Sequence, residues 1–125
     1  MYGLGIFGEK VTAFTKRSVK AAQYFEEHKV PRDIISQFRR SSTSIGANCS
    51  EAVGAQTQAD YLTKLHIAYK EAMETQHWIE VLHDSNAMDA ATYTSIQNDG
   101  IEICKLLATI TKNIRLNAET KRNAK

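Results

Sequence analysis

Two short stretches, "ETQH" and "EVLH", place Glu74 three residues before His77 and Glu80 three residues before His83. A carboxylate and an imidazole at that offset share one face of a helix, and di-iron bundles use such pairs to hold metal. Those centres need the motif on two different helices, pointing inward. Here both copies fall in one helical stretch and His77 turns away from its apolar line, so the pairs read as surface rather than as a metal centre. His28 and His66 have no Cys or His at ligand spacing and read as solvated or capping residues. A glycine-rich phosphate loop and a nucleophile elbow are both missing. Cys49 and Cys104 fall on faces that the periodicity assigns to the core, which suits reduced thiols and a cytoplasmic chain. No enzymatic chemistry, no metal and no cofactor follow from these residues.

The elements that must position these side chains are all helical. Pro31 is the only proline, and the long segments around it carry apolar residues three and four apart. The spacing predicts a first helix from about Glu9 to His28, with Val11, Phe14, Ala21, Ala22 and Phe25 along one side. Pro31 stops it and suits the first turn of the next. The second helix runs from about Arg32 to Val53, with Ile34, Phe38, Ser41, Ile45, Asn48 and Ala52 inward and Gly54 as a left-handed end. Thr57 caps the third, with Asp60 reaching back to the cap. That helix continues to about Asp84 on a line of Tyr61, Leu65, Ala68, Ala72, Thr75, Ile79 and Leu82. Asp89 caps the fourth, which carries Tyr93, Ile96, Gly100, Cys104, Leu107, Thr111 and Ile114.

Short connections between such helices make neighbours antiparallel. The expected fold is all-α, an up-down-up-down antiparallel four-helix bundle over residues 9–119. A flexible arm with Gly3, Gly5 and Gly8 precedes it over residues 1–8, and a basic tail follows over residues 120–125. No run approaches the ~20 apolar residues of a membrane span, and the opening lacks the basic leader and long apolar stretch of an export signal.

The middle of the second helix reads "SIGANCSEA", a cluster of weak helix formers in which Gly46 alone costs about 1 kcal/mol relative to alanine. Small side chains let two backbones approach closely, and the dispersion gained can offset the propensity lost. Ser41, Ser42, Ile45, Cys49 and Ala52 therefore read as a tight seam. Asn48 lies on the same side and should find a polar partner on a facing helix, with Glu71 or Glu74 the first candidates, as a structural amide that fixes register.

Ile67, Glu71, Glu74, Trp78 and Val81 gather on a face of the third helix beside its inward line. A lone bundle would leave that face largely wet, and an apolar stripe across it predicts a partner surface used for self-association. Charge is uneven as well. From Glu71 to Glu102 there is no lysine or arginine, while the C-terminal stretch holds Lys105, Lys112, Arg115, Lys121, Arg122 and Lys125 against Glu119 alone. With Lys10, Lys16 and Arg17 at the start of the first helix, these residues predict a basic end. A ring of subunits would concentrate that end and attract RNA or DNA. No aromatic residues interleave the basic ones, so such binding would be backbone-led and salt-dependent.

The stretch "RRSSTSIGANCSEAVGAQTQADYLTKLHIAYKEAMETQHWIEVL" resembles the bacterial four-helix-bundle family of 23S ribosomal RNA intervening-sequence proteins. The similar elements are the Ser44-Ile45-Gly46-Ala47-Asn48 run with Glu51-Ala52, then Asp60-Tyr61, then Lys70-Glu71-Ala72 leading to Glu74-Thr75 and Trp78. The last helix, "IEICKLLATITKN", is similar too. The resemblance implies a homo-oligomer, often a pentameric ring, with no established enzymatic activity. The accessory variability determinant proteins of diversity-generating retroelements are similar bundles, and that branch implies a basic pentamer that holds RNA or DNA and contacts a reverse transcriptase. Asn48, Glu51, Lys70, Glu71, Glu74 and Trp78 match the family pattern, and Asn48, Glu51, Lys70 and Glu71 are expected to form a structural polar network. The resulting expectation is a non-enzymatic, oligomeric scaffold with no membrane association. The alternative is a protein-binding module or regulator that offers the third helix's stripe to a different protein.

Overall fold

The computed structural model describes residues 4–123, which form four helices: α1 (Gly5–Glu27), α2 (Arg32–Val53), α3 (Gln58–Asp84) and α4 (Ala90–Asn123). They make the expected all-α four-helix bundle. Packing is closest between α2 and α3, and of the four neighbouring pairs α1 and α4 touch least.

The core follows the helical period. Phe38, Ile45, Leu65, Ile79, Leu82, Ile96 and Leu107 are fully buried, and each such side chain contributes roughly 2 kcal/mol of transfer free energy. Ser18, Ser41, Ser42 and Thr75 are equally buried, which lets the helices close on one another. Cys49 and Cys104 are free and buried, as their positions on the helical lines predicted. Where Ile34 was expected inward, Ile35 takes the interior place and Ile34 packs at the core's edge. The Pro31 carbonyl accepts from the Ile35 amide, so the second helix begins one residue after the proline, which serves as its cap.

Polar residues set the helix ends. The Thr57 hydroxyl accepts from the Asp60 amide at 3.0 Å, and the Asp89 carboxylate accepts from the Thr92 amide at 2.7 Å. That amide is the first cause holding Asp89 below its ordinary carboxylate range. Gly54 is not left-handed, with φ of −88°. The left-handed turn positions are Lys29 and Asn86, at φ of 63° and 60°, just past the ends of α1 and α3.

Both ends of the chain extend the bundle. α1 starts at Gly5, whose φ of +56° is glycine territory, and Phe7 is 8% exposed in the core, so residues 5–8 are helix rather than a loose arm. The three glycines masked an apolar anchor one and two turns ahead of Val11 and Phe14. Met1–Gly3 lie outside the described residues. α4 runs past the expected end at 119 to Asn123, while Ala124 and Lys125 lie outside the described residues. Lys10 pairs with Glu102 and Arg17 with Asp99, so the last few turns of α4 run beyond the start of α1. Ile110 and Ile114 pack there near Tyr61, beside the α2–α3 turn.

Candidate functional site

Arg40, Ser44, Asn48 and Glu51 recur at steps of four, four and three, which puts them on one side of α2. That side faces α3. The Arg40 guanidinium lies 3.1 Å from the Glu71 carboxylate and also pairs with Glu74, while Glu51 meets Lys64 at 3.7 Å. Asn48 does not reach Glu71 or Glu74. Its amide donates to the Ser44 carbonyl of its own helix at 2.8 Å, because the nearer acceptor one turn back satisfies it without bridging the seam. Lys70 is exposed and has no ion pair among the described residues, so the expected network of Asn48, Glu51, Lys70 and Glu71 is replaced by two separate contacts centred on Arg40 and Lys64. Beneath them Thr75 and Ser41 join α3 to α2 inside the bundle.

The α3 stripe is drier than its sequence suggested. Glu71, Glu74, Trp78 and Val81 are half-buried, and Ile67 alone is open, at 36% exposure. Trp78 packs on the core, with the His77 ring edge-on at 4.8 Å and its own indole N–H buried without a partner among the described residues. α2 covers part of the face, since Arg40 lies across Glu71 and Glu74.

The expected basic surface divides into separate parts. Lys10 is exposed and Arg17 half-buried, and they are held by Glu102 and Asp99. Lys16 lines a groove between α1 and α2. Lys112, Arg115 and Arg122 are exposed, share one face of α4 at steps of three and seven, and have no ion pair among the described residues. Lys121 lies on the opposite side of α4, beside Ala55 and Thr57. No surface gathers all seven.

Neither Glu-x-x-His pair is arranged as a ligand set. Glu74 is engaged by Arg40, and the Glu80 carboxylate accepts from the Tyr93 hydroxyl and, at 3.3 Å, from the Gln97 amide. His83 stacks on the Tyr93 ring at 3.9 Å. The Tyr93 hydroxyl, with the Gln97 amide and the neighbouring His83, holds Glu80 below its usual carboxylate range, and the same hydrogen bond raises Tyr93. Among the described residues no three His, Cys, Asp or Glu side chains group to hold a metal ion, and no helix is long and apolar enough to cross a membrane.

Sequence reasoning missed Arg40 and Gln97. The available signal for Arg40 was the pair of carboxylates one turn apart on α3, but the register between two helices is not written in either one. Gln97 reads as an ordinary polar residue next to Ile96.

The model of the family described as 23S rRNA-intervening sequence protein matches residues 7–109. The chain is also similar to a solved structure of a protein with unknown function from the S23 ribosomal protein family of Bacteroides thetaiotaomicron VPI-5482. The two are 42% identical with a TM-score of 0.81, over 86% of this chain and 96% of that one. No curated protein matches it.

Proposed function

The chain belongs to the 23S rRNA-intervening sequence protein family, and on that premise we propose a non-enzymatic bundle that self-associates and holds RNA or DNA by the basic end of α4. The observation that carries the reading is the trio Lys112, Arg115 and Arg122. These residues share one face of α4 and stay unpaired among the described residues, whereas Lys10, Arg17, Arg39 and Arg40 each have a carboxylate partner. Unpaired cations along one helical line suit a phosphate backbone, whose binding releases counterions. Three such residues are too few for tight binding by one subunit. Self-association through the α2–α3 face, with Ile67 as its open apolar residue about three turns from Trp78 on the same line of α3, brings several α4 ends together and multiplies the contact.

The test is fluorescence anisotropy of a labelled single-stranded RNA with wild-type protein and with Lys112→Glu/Arg115→Glu, across a salt series. Binding that weakens steeply with salt, and is lost in the double variant, supports the reading. Equal affinity of both proteins, or no binding at low salt, overturns it.

A further inference from the structure

The α3–α4 seam carries a groove of about 520 Å³ on the far side of α3 from Arg40, lined by Tyr69, His77, Glu80, Gln97, Ile101 and Lys105 among others. Its polar end is unbalanced. Gln97 is only 8% exposed, and its amide nitrogen donates to the Gln76 carbonyl and the Glu80 carboxylate, both at 3.3 Å. Two acceptors on that side fix which way the amide faces, since an amide oxygen could not bond to either. The Gln97 carbonyl oxygen is therefore left buried with no donor among the described residues. An acceptor in that state is costly and rare in a finished fold.

The chemistry missing at this end is a hydrogen-bond donor with positive charge, which satisfies the Gln97 carbonyl and meets the adjacent carboxylate. The middle of the groove is apolar, formed by Ile101, Cys104 and Ala108 with the Tyr69 ring. At the other end stands Lys105, eight residues along α4 from Gln97, about 12 Å of helix rise, and without an ion pair among the described residues. A cation at both ends of a ligand would be repelled there.

We propose that the α3–α4 groove binds a short aliphatic zwitterion, its ammonium on the Gln97 carbonyl and Glu80 carboxylate, its chain along Ile101, and its carboxylate toward Lys105. The site lies away from the α2–α3 face, and Lys105 stands seven residues before Lys112 on the same line of α4, so the groove adjoins the basic face without using its three residues. The ammonium supplies the donor that the fold lacks. The carboxylate neutralises Lys105, and the flexible arm of that lysine closes part of the 12 Å span.

Titration of the full chain with ε-aminocaproate, followed by two-dimensional amide NMR, tests the proposal. Cadaverine and caproate, each keeping only one kind of end group, serve as controls. The expected result is saturable shifts confined to the groove, among them the side-chain amide of Gln97, with ε-aminocaproate binding more tightly than either control. Gln97→Leu should weaken binding by roughly tenfold or more. Lys105→Ala, an exposed position that leaves the fold intact, should weaken ε-aminocaproate while leaving cadaverine unchanged or tighter. Shifts absent at millimolar ligand, shifts scattered over the surface, or a Lys105→Ala protein that ranks the three ligands as wild type does would overturn it.

Discussion

The hydroxyls of Thr75 and Ser41 meet 3.0 Å apart across the α2–α3 seam, both inside the bundle. The single Thr75 proton has two acceptors in reach, the Ser41 hydroxyl and the Glu71 carbonyl at 2.8 Å, and the Ser41 hydroxyl in turn donates to the Phe38 carbonyl at 3.3 Å, so Ser41 has an acceptor on its own helix. Thr75→Val keeps the shape and removes one end of the cross-helix bond. The expected cost is about 1 kcal/mol in urea unfolding, since Ser41 retains its own-helix acceptor. With Ser41→Ala, a double-mutant cycle should show coupling of roughly 0.5–1 kcal/mol. Strict additivity would mean that the contact contributes nothing beyond packing.

Gly46 explains the weak centre of α2. A Cβ there would stand 3.1 Å from the Thr15 hydroxyl oxygen and 3.6 Å from a Val11 methyl. Thr15 is itself bonded to the Val11 carbonyl at 2.9 Å, so it yields little. Gly46→Ala gains about 1 kcal/mol of helix propensity and loses a similar amount to crowding, leaving stability nearly unchanged. Gly46→Leu gains nearly the same propensity but forces three more carbons into the contact with Thr15 and Val11, and should lower stability by about 1–3 kcal/mol. A Leu variant as stable as wild type would show that α1 and α2 are not in close contact at this level.

Burial pushes the Cys49 thiol up from 9.0 to about 11. The folded state therefore keeps its proton where the unfolded chain has lost it. The sign follows: this contribution is fully present below about pH 9 and is lost as pH rises toward about 11, a decline on the order of 3 kcal/mol if the thiolate must form inside. Cys49→Ala should flatten that part of the stability-against-pH curve, with a cavity cost that does not depend on pH. Cys104 is raised in the same direction by burial. Rapid reaction of Cys49 with a thiol reagent near neutral pH would contradict the buried placement.

The helical lines of the core were legible because a period of three and four is a local property, and Phe38, Leu65, Ile79 and Leu107 obey it. So were the Thr57 and Asp89 caps, where one side chain and one amide three residues on settle the matter. What lies between helices was not legible. Arg40 meets Glu71 and Glu74 only once the register of α2 against α3 is known, and Asn48 turned to its own Ser44 carbonyl because nothing in its spacing weighs a local acceptor against a distant one. The start of α1 was hidden by composition, since Gly5 and Gly8 look like a loose leader until Phe7 is seen in the core. The basic residues were visible, but their division into paired Lys10 and Arg17 and unpaired Lys112, Arg115 and Arg122 depends on where α1 meets α4.

Whether subunits associate through the α2–α3 face can be read by native mass spectrometry of the wild type beside Ile67→Lys, at two salt concentrations. Ile67 is the better probe than Trp78, because Trp78 also supports the core while Ile67 stands open on the surface. One closed oligomer of defined mass is expected for the wild type at both salt concentrations, and a monomer with unchanged helical circular dichroism for Ile67→Lys. A wild-type protein that is monomeric under both conditions, or an Ile67→Lys protein that assembles as the wild type does, would contradict it.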